Sequence, residues 1–475
     1  MNPMRRQPGF GRVKAVHLVG IGGIGMSSIA EVLLARGYVV SGSDLKLSDV
    51  TERLERLGAR ICEGHAAENV ADADVVVYSS AVKPLTNPET LEAQRLRVPI
   101  IRRAEMLGEL MRQKYGIGIA GTHGKTTTTS IVGLVAREAG FDPTIIVGGK
   151  VAVFDSNAVS GEGDLIIIEA DEYDRTFLRL TPVLTVITNI EADHLDIYAD
   201  IEDITGAFLQ FANSVPFFGA SILCIDDENV RAILGKVQRR VITYGLSRQA
   251  SVRAVDLVQQ GATTRFTVLH ADERLGVIEL QAPGVHNVQN ALAAIAIGLE
   301  LDVDFERIAR ALGQYSGVQR RFEVKGEAAG TLVVDDYAHH PTEITATLAA
   351  AVKGWPDRRI VAVFQPHLYS RTRDLMDEFA QAFDDADVLV ITDICGAREE
   401  PIHGVNGRTL GERAVAFGHR DVHFVGDKED LPNYLDDIRG ERDIVITMGA
   451  GDVWRYGERY LDLLKERRQP GDANG

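Results

Sequence analysis

The chain has 475 residues, which is too many for one hydrophobic core, and at about 100–200 residues per domain it predicts two to four domains. Hydrophobic residues make up 45% of it and no apolar run reaches the roughly 18 residues of a membrane span, so we expect a globular protein without membrane insertion. The net charge of −17 argues against a nucleic-acid partner, which needs a basic face.

The N-terminus and the cysteines indicate the compartment. Positive charges near the start have no apolar segment behind them, so we expect no signal peptide. Cys62, Cys224 and Cys395 are far apart and odd in number, which favours buried thiols over a zinc site or a disulfide framework. We therefore predict a cytoplasmic protein, and the sequence leaves its oligomeric state open.

The first block of the chain has the pattern of a β-α-β unit of Rossmann type. An apolar strand over 15–19 meets a glycine turn, a helix follows over about 26–36, and a second strand begins at Tyr38. Asp44 lies about 20 residues beyond the turn, as in dinucleotide-binding proteins. Three glycines fit G-x-G-x-x-G: Gly20, Gly22 and Gly25. Alone, this fingerprint predicts an NAD-dependent oxidoreductase, although such a loop binds any diphosphate, including that of a nucleotide sugar.

The second block opens with a phosphate-binding loop, GIAGTHGKTTTTS at 118–130. The usual pattern is G-x-x-x-x-G-K-[ST], and Ile119 stands where its first glycine belongs. The context still supports the assignment, because an apolar strand precedes the loop and a plausible helix follows it. Lys125 would reach the β- and γ-phosphates of a nucleotide, and the Thr126 hydroxyl would bind Mg²⁺.

A phosphate loop also needs a carboxylate for its metal ion. Glu169 ends the apolar strand in DLIIIEADE, the kind of position at which nucleotide hydrolases hold a Mg²⁺-binding acid. His194 follows the next buried strand in NIEADHLD, between Asp193 and Asp196, and this position makes it a further candidate ligand. An acid or a histidine at a strand end is otherwise an ordinary loop residue.

The remaining runs predict an α/β fold class with three domains. Short apolar runs indicate a mostly parallel sheet in the middle of the chain, and residues 246–282 alternate like antiparallel strands. From about Arg321 on, four strand-like runs alternate with helices. We expect an N-terminal Rossmann-like domain over 1–113, a central P-loop ATPase-type domain over 114–319, and a C-terminal Rossmann-like domain over 320–475.

The loop GTHGKTT, with EADE, NIEADHLD and GVHNVQNALAA, resembles the Mur ligase superfamily. These ATP-dependent enzymes form the amide bonds of the peptide in bacterial cell-wall precursors. Their phosphate loop has the form G-T-[HNK]-G-K-[TS]-T, so the missing glycine is expected there. The resemblance runs over essentially the whole chain, in the family's order of domains.

Four stretches, HLVGIGGIGMSSIAEVL, GVQRRFE, VVDDYAHHPTEI and FQPHLYSRT, resemble the member of that family that adds the first amino acid, L-alanine. Other members carry a carbamylated lysine after DHLD that helps to bind a second Mg²⁺, whereas this chain has no lysine between Lys150 and Lys236. The resemblance implies that ATP activates the lactyl carboxylate of UDP-N-acetylmuramic acid as an acyl phosphate. L-alanine then attacks it, giving an amide, ADP and phosphate.

The resemblance also implies the binding sites for ATP and two Mg²⁺ ions. Thr126 and Glu169 would bind one ion, and Glu169 and His194 the second. Seven residues would hold the ATP phosphates: Gly121, Thr122, His123, Gly124, Lys125, Thr126 and Thr127. Contacts to the adenine and nearby groups would come from His286, Asn287 and Asn290, although these asparagines could instead cap the following helix.

For the substrates, the resemblance implies two further groups of residues. The UDP diphosphate would lie on Gly22, Gly23, Ile24, Gly25 and Met26, with Asp44, His65 and Ser79 near the uridine. Arg321 would reach the phosphates, and Asp336 the nucleotide, as the domains close. L-alanine and the lactyl carboxylate would be surrounded by Tyr337, His339, His367 and Arg371, since a guanidinium can bind a carboxylate through two parallel hydrogen bonds. The candidate catalytic residues are Lys125, Glu169, His194, Arg321, His339 and Arg371.

Three other functions are alternatives. An NAD enzyme would leave the phosphate loop and its metal carboxylate unexplained. An ATPase that moves a partner would not need both a UDP-type Rossmann domain and an amino-acid-binding loop. The nearest alternative is the salvage ligase that attaches a whole tripeptide to the same sugar, whose N-terminal glycine loop differs from GIGGIGM.

Overall fold

The computed structural model describes residues 9–151, 156–193, 197–397 and 399–467. The chain folds as two compact units. The first holds the described residues up to Val255 together with 267–278 and 289–315, and the second holds 256–266, 279–288 and the described residues from Ser316 on. The three-domain division at 113/114 and 319/320 stays a prediction.

The first sheet has five parallel strands in the order β3-β2-β1-β4-β5. Its strands are β1 (Ala15–Val19), β2 (Val39–Asp44), β3 (Arg60–Glu63), β4 (Val75–Tyr78) and β5 (Ile100–Arg102). The helices between them are α1 (Ile24–Ala35), α2 (Asp49–Arg56), α3 (Pro88–Leu96) and α4 (Arg103–Arg112). Because parallel strands end at one edge, the glycine turn after β1 and the residues after β2 and β3 lie there together.

The second sheet has ten strands in the order β15-β14-β13-β12-β11-β10-β6-β9-β7-β8. They are β6 (Tyr115–Ala120), β7 (Thr144–Val151), β8 (Ser156–Val159), β9 (Leu165–Glu169), β10 (Leu184–Ile187), β11 (Ala220–Cys224), β12 (Val241–Gly245), β13 (Val252–Gln260), β14 (Thr263–His270) and β15 (Glu273–Leu280). The accompanying helices are α5 (Lys125–Glu138), α6 (Ile201–Asn213), α7 (Glu228–Ile233), α8 (Val285–Glu300) and α9 (Phe305–Gly313). Short turns join β13 to β14 and β14 to β15, as only antiparallel neighbours allow, which agrees with the prediction for 246–282.

The third sheet has six strands in the order β16-β17-β21-β18-β19-β20. They are β16 (Glu323–Ala328), β17 (Thr331–Asp336), β18 (Arg359–Phe364), β19 (Val388–Ile391), β20 (Val422–Phe424) and β21 (Asp443–Met448). The helices are α10 (Pro341–Gly354), α11 (Tyr369–Asp374), α12 (Met376–Gln381), α13 (Gly407–Ala416), α14 (Leu431–Asp437) and α15 (Val453–Arg467). Only β16 is antiparallel to its neighbour, so the predicted α/β fold class is confirmed.

The first sheet and most of the second lie in one unit, and α4 links their cores. Met106, Leu110 and Met111 of α4 are buried in the same apolar cluster as Phe177 and Phe211. The backbone approaches closely here, since a Cβ at Gly108 would lie 2.6 Å from the carbonyl oxygen of Arg179. The core of the first sheet is therefore packed against the part of the second sheet that lies in the same unit.

Among the described residues, no helix combines the length and the apolar character that crossing a lipid bilayer requires.

Candidate active site

The phosphate loop lies between β6 and α5, and its backbone requires glycine at two positions. Gly121 has φ of +145° and Gly124 has φ of +79°, values that residues with a side chain rarely adopt. A Cβ at position 121 would overlap the Thr188 hydroxyl, and one at position 124 would lie 2.6 Å from Asn290 Oδ1. The loop is therefore drawn tightly against neighbouring segments, with its N–H groups at the start of the 14-residue helix α5.

The segment after β10 holds the loop in place. The N–H of His123 donates to Asn189 Oδ1 at 2.7 Å, and the Thr188 hydroxyl donates to the carbonyl of His123 at 2.6 Å. The Thr122 hydroxyl accepts a hydrogen bond from the N–H of Glu191 at 2.8 Å. Residues 188–191, which follow β10, thus hold the predicted phosphate-binding residues in place before a ligand binds. His194 and Asp196, which the sequence places further along this segment, lie outside the described residues.

Lys125 has an acidic partner that the sequence analysis did not assign. Its Nζ donates to Glu172 Oε1 at 2.9 Å and to the carbonyl oxygens of Gly121 and Thr122 at 2.6 and 2.9 Å. Burial opposes the charge, but Glu172 and the neighbouring acids outweigh it, so the pKa of Lys125 is raised. Lys125 therefore carries a fixed positive charge at the loop.

Glu169 lies at the end of β9, within reach of the loop. Both its carboxylate oxygens are 3.0 Å from the Thr126 hydroxyl, and Oε2 accepts from the N–H of Gly148 at 2.6 Å. Burial raises the pKa of Glu169 in spite of these bonds and of the nearby Lys125. The carboxylate of Glu169 is thus buried without enough hydrogen bonds or positive charge to offset its burial. A hydroxyl and a carboxylate are the hard oxygen donors that Mg²⁺ prefers, so Thr126 and Glu169 fit the ion.

Helix α8 approaches the phosphate loop through Asn290. Asn290 Oδ1 accepts a hydrogen bond from the Thr128 hydroxyl at 3.1 Å. Asn287 lies inside α8 and donates from Nδ2 to the carbonyl of Pro283 at 2.7 Å. Because α8 begins at Val285, neither asparagine occupies the position just before the helix, and the capping alternative is wrong for both.

The glycine turn after β1 is bordered by two of the residues predicted near the uridine. The N–H of Gly22 donates to Asp44 Oδ2 at 2.8 Å. Gly20 has φ of +81°, and a Cβ there would lie 2.9 Å from Ser79 Oγ. The Asp44 carboxylate and the Ser79 hydroxyl thus border the loop on which the diphosphate is predicted to lie.

The first turn of α1 carries the other predicted diphosphate contacts. Gly23 precedes the helix, and Ile24, Gly25 and Met26 begin it. The Met26 side chain is buried in the core, and its N–H donates to the carbonyl of Gly23 at 3.0 Å. Gly25 lies under a side chain that the sequence analysis missed, because a Cβ there would collide with Nη1 of Arg103. A cation therefore lies over the start of this helix.

In the second unit, candidate residues gather at the carboxyl ends of β17 and β18. The ring of His339 lies 5.2 Å from that of Tyr337 and 6.3 Å from that of His367, between centroids. Burial, with His339 and Arg371 nearby, lowers the pKa of His367 to about 4. The structure thus brings together the four residues predicted to surround L-alanine and the lactyl carboxylate.

Glu343 connects this group with Arg321. Its Oε1 lies 3.3 Å from Arg321 Nη1, and its Oε2 accepts from the N–H of His339 at 2.9 Å. Asp336 accepts from the N–H groups of Phe322 and Ala338 at 2.8 Å, and burial raises its pKa to about 6. Glu343 therefore holds both Arg321, the predicted phosphate contact, and His339, a predicted amino-acid contact.

His286 and Arg320 complete the second unit's polar residues at this edge. Burial, and after it Arg321, lowers the pKa of His286 to about 4. Arg320, the neighbour of Arg321, donates to Asp335 and to the carbonyl oxygens of Gly449 and Gly451. These bonds occupy Arg320 in holding the loop after β21.

Several of the residues described above were not predicted, among them Asn189, Glu172, Arg103 and Glu343. Asn189 follows a buried strand, which is the same signal that singled out Glu169. Glu172 stands in the EADE motif, but nothing in the motif alone pairs it with Lys125. Arg103 and Glu343 act through contacts across the fold, and their local sequence gives no comparable signal.

Three family models match the chain in order. The Mur ligase family catalytic domain matches residues 15–115, the Mur ligase middle domain matches 119–298, and the Mur ligase glutamate ligase domain matches 320–451. The matched ranges contain every predicted site residue. The resemblance found in the motifs thus extends over the described sheets.

Individual relatives agree with the family match. The UDP-N-acetylmuramate--L-alanine ligase of Salinibacter ruber is 64% identical over 465 residues, covering 98% of each chain. The crystal structure of the UDP-N-acetylmuramate-alanine ligase of Thermotoga maritima matches with a TM-score of 0.78 at 29% identity, covering 95% of this chain and 99% of that one. A murein peptide ligase from Psychrobacter arcticus gives 0.68 at 26% identity, over 95% and 98% of the two chains. This chain belongs to the Mur ligase family.

Proposed function

We propose that this protein is the ligase that joins L-alanine to UDP-N-acetylmuramic acid with ATP, the first peptide-forming step of peptidoglycan precursor synthesis. The observation that carries the proposal is 64% identity, over 98% of each chain, to a ligase of that name. The salvage ligase is less supported, because the murein peptide ligase from Psychrobacter arcticus is only 26% identical to this chain.

The phosphate loop supports ATP as the energy source. Its glycines direct N–H groups at the start of α5, and Lys125 supplies a buried positive charge beside them. Thr126 and Glu169 would hold a Mg²⁺ ion, and His194 is the candidate for a second. When bound, the ion would neutralise the repulsion between the phosphoryl group and the substrate carboxylate. The number of ions and the role of His194 remain part of the proposal.

Phosphorylation is needed because a carboxylate at neutral pH is a poor electrophile. ATP converts the lactyl carboxylate to an acyl phosphate, the amine of L-alanine attacks its carbonyl carbon, and phosphate leaves. The role of the protein residues would be to bind and orient ATP, the lactyl carboxylate and L-alanine. Lys125 contributes fixed charge to the transferring phosphoryl group, and fixed charge of this kind is usually a large part of catalysis.

The nucleotide sugar is assigned to the first sheet. Its diphosphate would lie on residues 22–26, where a glycine turn and a helix start accept phosphate. Asp44 and Ser79 border this turn, and Arg103 lies over Gly25. The uridine would extend from there toward His65, at the carboxyl end of β3.

L-alanine and the lactyl carboxylate are assigned to the group at the carboxyl ends of β17 and β18. Arg371 carries the guanidinium suited to binding a carboxylate. The pKa of His367 is lowered to about 4, so its imidazole is largely neutral near pH 7. A neutral imidazole offers an acceptor and a donor without repelling an incoming ammonium group. We expect the reaction to take place in the cytoplasm, where ATP and nucleotide sugars are present.

The test is phosphate release from ATP with Mg²⁺ and UDP-N-acetylmuramic acid, with L-alanine, the L-Ala-γ-D-Glu-diaminopimelate tripeptide or neither. We expect release only with L-alanine, together with a product whose mass is that of the nucleotide sugar plus one alanyl residue. Release that requires the tripeptide would assign the protein to salvage. Release independent of any acceptor would favour an ATPase.

A further inference from the structure

His65 lies at the ligand-binding edge of the first sheet, two residues beyond β3. Strands β2 and β3 pair in parallel with Asp44 opposite Glu63, and the N–H of Gly64 donates to the carbonyl of Asp44 at 2.7 Å. The side chain of His65 is 16% exposed. In a Rossmann-type sheet this edge faces the nucleoside of a bound nucleotide.

A fully buried carboxylate stands behind His65. Glu89, in the first turn of α3, has no exposed surface, and its Oε2 accepts from the Ser43 hydroxyl at 2.6 Å and lies 3.2 Å from His65 Nδ1. Its Oε1 accepts from Asn69 Nδ2 at 2.6 Å and lies 3.5 Å from His17 Nε2. Burial opposes the charge of Glu89, but hydrogen bonds led by those of His17 and Ser43 prevail, so its pKa is lowered.

The order of donors in this network determines where the His65 proton lies. An ionised carboxylate only accepts hydrogen bonds, so the Ser43 hydroxyl must donate its single proton to Glu89. Ser43 Oγ lies 2.9 Å from His65 Nδ1 and can then only accept in that contact. His65 must therefore carry a proton on Nδ1 and donate it to Ser43, while the ionised Glu89, 3.2 Å away, lies on the same side of the ring. In a neutral imidazole, the other nitrogen, Nε2, is then an acceptor.

We propose that Glu89, acting with Ser43, is a positioning residue that holds His65 in the Nδ1–H tautomer and so presents Nε2 as an acceptor to the nucleobase. The inference rests on the proposed function, because it concerns the base of the nucleotide sugar. Facing position 3 of the base, an acceptor matches uracil, whose N3 carries a proton, and mismatches cytosine, whose N3 is itself an acceptor. Glu89 thereby contributes to base selection without touching the ligand.

A purely structural role is the alternative, since a buried carboxylate with several donors also ties α3 to the sheet. The chain offers a matched control on the same strand. Ser41 Oγ lies 2.9 Å from His17 Nδ1, on the far side of Glu89 from His65. Ser41→Ala and Ser43→Ala thus each remove one hydroxyl group from the same face of β2, two residues apart, but only Ser43→Ala removes the hydrogen-bond acceptor of His65 Nδ1.

The experiment combines a tautomer measurement with base discrimination in the full-length protein. Nitrogen-15 NMR of labelled histidine distinguishes a protonated Nδ1 from a protonated Nε2, with His65→Asn used to assign the signal. Calorimetry gives the Kd for UDP and for CDP. We expect Nδ1–H for His65 in the wild type and in Ser41→Ala, and a mixture of tautomers in Ser43→Ala and Glu89→Gln.

The ratio of the Kd for CDP to the Kd for UDP should fall by about tenfold in Ser43→Ala and Glu89→Gln, the order expected when one hydrogen bond to the base is lost. It should stay unchanged in Ser41→Ala. A wild-type His65 protonated on Nε2, or on both nitrogens, would overturn the inference. An equal loss of UDP and CDP binding in Ser43→Ala would do the same, because it would indicate a structural role. If the folded wild type bound neither nucleotide, the proposed function itself would fail.

Discussion

The ammonium nitrogen of Lys125 lies 2.9 Å from Glu172 Oε1, and the two side chains are 15% and 4% exposed. The pair joins the phosphate loop to the segment after β9, 47 positions along the chain. A largely buried ion pair of this kind is costly to break from one side, because the remaining charge stays buried without its counter-charge. Glu172 therefore keeps Lys125 charged and in place before any nucleotide binds.

A double-mutant cycle tests this relationship. Lys125→Met should abolish turnover and lower the free energy of unfolding by about 3 kcal/mol, since it leaves Glu172 buried without its counter-charge. Lys125→Met with Glu172→Gln should regain most of that stability and none of the activity. Urea unfolding without nucleotide gives the stabilities. Additive effects of the two substitutions on stability would mean that the pair is not coupled.

Glu169→Gln should separate the metal role of this carboxylate from its effect on the fold. Because the folded pKa of Glu169 is raised, protonation stabilises the fold fully below the unfolded value near 4.5, and this stabilisation is lost as the pH rises through the folded pKa. Without metal at pH 8, the glutamine variant should therefore melt at a higher temperature than the wild type. Mg²⁺ with an ATP analogue should raise the melting temperature of the wild type far more than that of the variant.

The matching control for that experiment is Glu138→Gln, a change of the same kind at the far end of the helix that begins at the phosphate loop. Its carboxylate is not among the proposed metal ligands, so the stabilisation by Mg²⁺ and the nucleotide analogue should stay close to that of the wild type. Near-normal turnover of Glu169→Gln would contradict the metal assignment.

The parts of the site that could be predicted from sequence are those determined by local pattern. The strand, turn and helix around Lys125 follow from an apolar run, glycines and a threonine-rich helix start, and Glu169 follows from its place at a strand end. Edge strands β16 and β20 gave no clear signal, because their residues are largely half-exposed and the apolar runs of buried strands are missing.

The partners that orient the site could not be predicted, because they are set by tertiary contacts. Glu172 meets Lys125 over 47 positions, and Asn189 meets His123 over 66. Glu89 meets Ser43 over 46 positions, in a network that only the sheet order β3-β2-β1 brings together. Sequence analysis predicts that a glutamate in a helix is exposed to solvent, because glutamates are rarely buried. Nothing in the residues around Glu89 therefore indicates its burial.

Arg103→Ala should weaken binding of the nucleotide sugar. The guanidinium of Arg103 lies over Gly25, at the start of α1, so a diphosphate on the glycine turn would gain a positively charged neighbour. Asp171, 3.7 Å away, holds the guanidinium from the other side. We expect the KM for UDP-N-acetylmuramic acid to rise about tenfold or more, the order lost with one charge-assisted hydrogen bond, and the KM for ATP to stay constant. Arg112→Ala, on the exposed end of the same helix, is the control. A rise in the KM for ATP alone would place Arg103 with the other substrate.

The stability of the second unit should fall at mildly acidic pH. Burial, with Arg321 nearby, lowers the pKa of His286 from 6.5 to about 4, so the unfolded chain binds a proton more readily than the folded one. The stabilisation is present above about pH 6.5 and lost as the pH falls toward 4. His286→Gln cannot take up that proton. Between pH 7 and 5 its melting temperature should therefore fall less steeply than that of the wild type, and the difference in slope should correspond to the binding of at most about one proton on unfolding. The exposed His403 provides the control: His403→Gln should keep the wild-type slope, and an unchanged slope in His286→Gln would contradict the assignment.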